Sequence, residues 1–118
     1  MYSRQVLEHF QRTQHVGDLE NADAYVRVDN PGCGDVLQLA VRVTGGRIAA
    51  AKFRARGCVC AIACGSLLTE MILNQTLAEA RAIRREDLVE KLGGLPPASG
   101  HAAVLAIDAL KAALKQLG

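Results

Sequence analysis

The sequence predicts an α+β fold, an antiparallel sheet of about three strands with helices packed on one face. Three observations predict it. Leu37, Leu39, Val41 and Val43 alternate with Gln38 and Arg42 and run into Thr44-Gly45-Gly46-Arg47, the signature of a hairpin. After Gly57 the apolar period lengthens from two residues to that of a helix. Strand-like segments come first and helical ones later, an order that suits an antiparallel sheet covered by helices.

Each element has a local cause. Ser3 can cap a first helix over about residues 4–12, with Val6, Leu7 and Phe10 on one face. Thr13 to Asn21 is polar and reads as a connection, and Ala24, Val26 and Val28 then alternate with Tyr25, Arg27 and Asp29 as a half-buried strand. The hairpin returns over Ile48 to Arg56, where Ala51, Phe53 and Ala55 point one way. Lys52, Arg54 and Arg56 point the other, as a solvated sheet face. A helix follows to about Leu73, its apolar stripe built from Ala61, Leu67, Leu68, Met71 and Ile72. Thr76 to Glu79 has the form of a capping box, Arg84 to Leu92 reads as a further short helix, and Gly93-Gly94-Leu95-Pro96-Pro97 as a loop. Ser99 is expected to cap a last helix whose Ala103, Ala106, Ile107, Leu110, Ala113, Leu114 and Leu117 repeat at helical spacing.

At 118 residues the chain suits one domain over 1–118, large enough to bury a core without disulfides. Leu, Ile, Val and Ala must build that core, since the chain has only two Phe, two Tyr and no Trp. The scarcity of aromatics also removes stacking platforms for bases, and a net charge of +2 spread along the chain marks no phosphate-binding surface, so nucleic acid is not an expected partner. No run approaches the roughly 18 to 20 apolar residues that span a bilayer. The polar N-terminal residues lack the apolar stretch of a signal peptide, so the chain is expected in the cytoplasm with its thiols reduced.

Four cysteines, Cys33, Cys58, Cys60 and Cys64, fall between positions 33 and 64, a grouping that points to soft-metal or sulfur chemistry. Cys33 sits in Asn30-Pro31-Gly32-Cys33-Gly34-Asp35, where glycines let a bulky ligand approach and Asp35 supplies an oxygen. Cys58 starts a helix, a place where the dipole is expected to ease ionisation of a thiol. His101, in the first turn of the last helix, adds an imidazole if that helix end faces the cysteines. Cys64, inside the long helix, reads as a small buried hydrophobe. Cys60 stands open between core and ligand, and His9 and His15 read as surface or capping residues.

Taken together, Cys33-Gly34-Asp35-Val36, Ala51-Lys52-Phe53 through Gly57-Cys58, Ala61-Ile62-Ala63, Ser66-Leu67-Leu68-Thr69-Glu70, Leu95-Pro96-Pro97, His101 and the segment Asp108 to Leu114 resemble the IscU/NifU N-terminal family of iron–sulfur cluster assembly scaffolds. The resemblance covers nearly the whole chain. It implies a non-enzymatic scaffold that receives sulfur from a cysteine desulfurase, takes up iron, holds a [2Fe–2S] cluster briefly and passes it to apo iron–sulfur acceptor proteins. By the same resemblance Cys33 and Cys58 match two cluster ligands, Asp35 the aspartate that keeps the cluster labile, and His101 the histidine beside a third family cysteine.

The chain departs from that pattern in three places. Ala102 stands where the family has its third cysteine, Ala98-Ser99 replace the Val-Lys of a segment read by an Hsp70-type chaperone, and Cys60 and Cys64 replace serines. The expected site is therefore Cys33, Cys58 and either Cys60 or His101, with Asp35 in reserve, and the chaperone is not carried over. Two alternatives remain beside the scaffold: a zinc-binding sulfur-transfer partner of a desulfurase, and an adaptor that has lost cluster binding.

Overall fold

A computed structural model describes residues 2–30 and 34–118. Strand β1 (Ala24–Asn30), β2 (Asp35–Thr44) and β3 (Arg47–Arg56) form an antiparallel sheet in the order β1-β2-β3. The hairpin turns where expected because Gly45 and Gly46 both take positive φ, 60° and 77°, the geometry whose twist matches the flanking strands. The pairing shifts between Arg42 and Val43, a bulge that leaves Ala49 without a partner on β2.

Both outer edges of the sheet are occupied in part. Along β3, Phe53 accepts from the Gly17 N–H and donates to the His15 carbonyl, while Ile48 exchanges bonds with the Asn74–Gln75 backbone. On β1, the Gln116 side chain accepts from the Tyr25 N–H and donates to the Tyr25 carbonyl, both at 2.9 Å. These contacts consume backbone groups that would otherwise template another strand.

Helix α1 is Arg4–Gln11, α2 Val59–Ile72, α3 Leu77–Arg81, α4 Arg85–Lys91 and α5 His101–Leu117, with a 3-10 turn at Pro97–Ser99. The first helix starts as expected: Ser3 Oγ accepts from the Val6 N–H at 3.0 Å and donates to the Leu92 carbonyl. Only Val6 reaches the core, however. Leu7 and Phe10 turn outward, about 40% exposed, while Val6 is buried and His9 reaches Ser66 of α2. The Thr76–Glu79 capping box is complete. Ser99 does not cap α5, because it is absorbed into the 3-10 turn and Gly100 occupies the cap position.

Helix α2 is buried on almost every side, between the sheet, α1 and α5, which explains why its sequence is apolar beyond a single stripe. Its two buried hydroxyls are used. Ser66 Oγ meets His9 Nδ1 at 3.0 Å and accepts the Gln14 N–H, and Thr69 Oγ1 meets His15 Nδ1 at 3.2 Å while donating to the Ser66 carbonyl. His9 and His15 are thus half-buried fasteners of the N-terminal segment, not the surface or capping residues their sequence context suggests. Among the described residues no helix is long and apolar enough to cross a membrane.

Gly65 of α2 packs directly against the Phe53 ring. A Cβ at Gly65 would lie 2.6 Å from two ring carbons and 3.1 Å from a Leu37 methyl, and Phe53 is itself fully buried. Gly65→Ala gains about 1 kcal/mol of helix propensity but overpacks by about 1–3 kcal/mol, so a net loss of stability is expected in urea unfolding. A variant as stable as the parent would contradict this packing.

Candidate metal centre

Pairing of Val36 with Arg56 sets Asp35, at the head of β2, beside Gly57 at the end of β3. Gly57 has φ +139°, and a Cβ there would fall 2.0 Å from Asp35 Oδ1, so glycine is the residue that admits the carboxylate. Its role was not read from the sequence, although a Gly directly before Cys58 at a strand end was the available signal.

Cys58 is the N-cap of α2, in an extended conformation. Its N–H donates to Asp35 Oδ1 and its thiol to Asp35 Oδ2, each at 3.3 Å. His101, the first residue of α5, places Nε2 3.0 Å from the same Oδ2 and 3.9 Å from Cys58 Sγ. A carboxylate only accepts, so Nε2 is the protonated nitrogen of that imidazole. The sulfur, oxygen and nitrogen atoms all lie within 4.8 Å of one another, close enough to share one metal ion.

Burial grades across the cluster. The Asp35 side chain is 6% exposed and that of His101 28%, so the imidazole forms the accessible side. Burial, first, pushes the Cys58 thiol up; the Ala61 N–H at the start of α2 pulls it back, and the Asp35 hydrogen bond and charge push it up again. The expectation of an easily ionised Cys58 is therefore reversed in the metal-free protein: desolvation and a neighbouring carboxylate outweigh the helix terminus. A bound cation inverts that balance, because it favours the thiolate and repays the buried carboxylate.

The other expected residues separate clearly. Asp35, Cys58 and His101 come together. Cys33 lies outside the described residues; Gly34 N–H donates to the Asn30 carbonyl at 2.8 Å, which holds the two flanks of that segment together beside Asp35. Cys60 is not in the cluster and is wholly buried on the core side of the first turn of α2. Cys64 is a buried core thiol as expected, its pKa pushed up by burial to about 12. Ala102, next to His101, also faces the core at 1% exposure.

Comparison with known proteins decides the family. The model of the NifU-like N terminal domain matches residues 1–117. The chain belongs to this NifU-like family. It is 44% identical over 114 residues to the iron-sulfur cluster assembly scaffold protein IscU 1 of Archaeoglobus fulgidus, covering 97% of this chain and 74% of that one. The Haemophilus influenzae iron-sulfur cluster assembly scaffold protein IscU is 43% identical over 117 residues, covering 96% and 92%. In fold, the chain resembles the crystal structure of the N-terminal part of a NifU-like protein from Brucella abortus, with a TM-score of 0.80 at 19% identity over 97% of this chain and 92% of the other. This NifU-like chain thus shares the fold of that structure.

Because Asp35 raises the Cys58 pKa, Asp35→Asn should lower it. Alkylation of Cys58 by iodoacetamide, followed by mass spectrometry of its peptide across pH, is expected to show its midpoint at lower pH in the variant. An unchanged or higher midpoint would contradict the arrangement.

Proposed function

We propose that this chain is an iron–sulfur cluster assembly scaffold whose cargo is built on Cys33, Cys58, Asp35 and His101. The observation that carries the reading is the meeting of Asp35, Cys58 and His101 donor atoms within 4.8 Å, at the end of the sheet from which the Cys33 segment departs. The relatives named as scaffolds support it.

The residues divide the work by chemistry. Thiolates of Cys33 and Cys58 hold iron firmly, and the Asp35 carboxylate is a harder and more replaceable ligand that favours release. In the metal-free protein one carboxylate oxygen, Asp35 Oδ2, receives both the thiol and the imidazole proton. Metal entry would break both hydrogen bonds, expel the thiol proton and shift the imidazole proton from Nε2 to Nδ1, so loading is favoured as pH rises. Sulfur delivery by a cysteine desulfurase, a [2Fe–2S] form of the cargo and transfer to apo-proteins complete the proposal. Residues 1–118 act in it as one domain in the cytoplasm.

The mixed sulfur, oxygen and nitrogen donor set also favours a second reading, a tetrahedral zinc site in a sulfur-transfer partner. Anaerobic reconstitution with ferrous iron and sulfide separates the two. Visible absorption with stoichiometric iron and acid-labile sulfide is expected for the scaffold, and tight colourless zinc with no chromophore would favour the alternative. Cys58→Ser should abolish the chromophore and Asp35→Ala should lengthen its lifetime, whereas Cys60→Ser and Cys64→Ser should leave cluster occupancy unchanged. Faster cluster loss from Asp35→Ala would contradict the role given to that residue.

A further inference from the structure

The face of the sheet turned away from the helices carries a pattern that the metal centre does not use. Leu37, Leu39 and Val41 of β2 enter the core, so Val36, Gln38 and Ala40 stand on the opposite face. The register sets Arg27 of β1 and Arg54 of β3 on either side of Gln38, with Arg56 beside Val36 and Lys52 beside Ala40. The middle strand is therefore neutral from 36 to 40 and its two neighbours are cationic. A cleft of about 430 Å³ opens between them, over Val36 and Gln38, with Arg27 on one side and Arg54 and Arg56 on the other.

The fold concentrates charge here that the sequence spreads evenly. Arg27, Arg42, Lys52, Arg54 and Arg56 share this face, and the carboxylates that contact them are Asp29, 3.2 Å from Arg27, and Asp18, 2.9 Å from Arg54. Five cations against two carboxylates leave +3 on a chain whose whole charge is +2, so the remaining residues are slightly acidic. Both ion pairs are exposed and exchange partners at little cost, while Lys52 and Arg56 make no ion pair among the described residues.

Strand geometry says what shape of anion fits. Neighbouring strands lie about 4.8 Å apart, so the cations of β1 and β3 rise from backbones about 10 Å apart, room for one extended chain between them but not for a helix about 10–12 Å across. Along β3, Lys52, Arg54 and Arg56 recur about every 6.8 Å, and carboxylates at every second residue of an extended segment recur at the same pitch. Ala40, 4% exposed, adds no bulk to the floor. Tyr25 is the single aromatic ring among the described residues of this face, too few for stacked bases, and only Tyr25 and Val36 offer apolar surface to a lipid.

We propose that this trough docks an acidic extended segment of a partner protein, its alternate carboxylates on Lys52, Arg54 and Arg56 and facing Arg27. Val36 and Arg56 are each one residue from Asp35 and Gly57, so a segment seated here holds its owner beside the metal centre. Docking is read on metal-free protein, so its failure leaves the cluster reading standing, and the reverse holds too.

The probe is a fluorescein-labelled peptide of about 14 residues in which Glu and Ser alternate, compared with an isomer that carries the same residues as Glu-Glu-Ser-Ser blocks and with a counterpart carrying Lys for Glu. Fluorescence anisotropy at about 20 mM salt should show the alternating peptide binding at least about threefold tighter than the block isomer, with no binding of the Lys counterpart and a loss of affinity at about 150 mM. Lys52→Gln/Arg54→Gln should weaken binding at least about fivefold with the melting temperature unchanged, whereas Lys111→Gln/Lys115→Gln, which removes the same charge from α5, should leave it within about twofold. Amide resonances of Gln38, Lys52 and Arg54 should shift on titration. Absence of binding, equal binding of the block isomer, equal weakening by the α5 variant, or shifts confined to the helices would overturn the proposal. Displacement of the peptide by oligouridylate or by phosphatidylglycerol vesicles at lower concentration would reassign the trough to phosphate groups and overturn it equally.

Discussion

The antiparallel pairing of β2 with β3 is the constraint on which the metal centre rests. Val36 opposite Arg56 leaves Asp35 and Gly57 as the next residues out, and from there the carboxylate reaches the Cys58 N–H and thiol. A slip of one residue would turn Asp35 to the other face of the sheet and carry Leu37, Leu39 and Val41 out of the core with it. Each fully buried Leu or Phe is worth roughly 1.5–3 kcal/mol, so the core holds the register that the site requires. The hairpin turn and the bulge at Ala49 set the same register from the other end.

The site spends some of that stability. A carboxylate that is nearly sealed from water is kept there by hydrogen bonds from a thiol, an imidazole and a backbone N–H, which together replace its lost hydration. The donors come from two distant places in the chain, Cys58 where β3 passes into α2 and His101 at the start of α5. Among the described residues, the donor atoms of Asp35, Cys58 and His101 thus stand within reach of one another. His101 leaves one side of this trio open to solvent, while Asp35 is nearly sealed on the other.

Much of this was legible in the chain itself. The three strands, the Gly-Gly turn and the start of α2 at Cys58 follow from apolar alternation and a change of period, which are local properties. The helices α3 and α4 follow from local caps. Association of Asp35, Cys58 and His101 is not local, and only the likeness to a known family indicated it; spacing says nothing of where the start of α5 lands. The same limit explains the misjudged residues. His9 and His15 find their partners 57 and 54 positions away, on hydroxyls of α2 that no pattern links to them. Cys60 lies two residues from a site residue, but one helical turn has begun by then and directs it into the core.

The clasp between Gln116 and Tyr25 has a consequence for how this protein fails. A primary amide that both accepts from and donates to one residue of a border strand behaves as a molecular stopper, imitating the neighbour which a growing fibril would supply. Unwinding the final turn of α5 would uncork that border. Self-association through β1 would then precede global melting, and the ion pair of Arg27 with Asp29 would be the remaining deterrent along the strand.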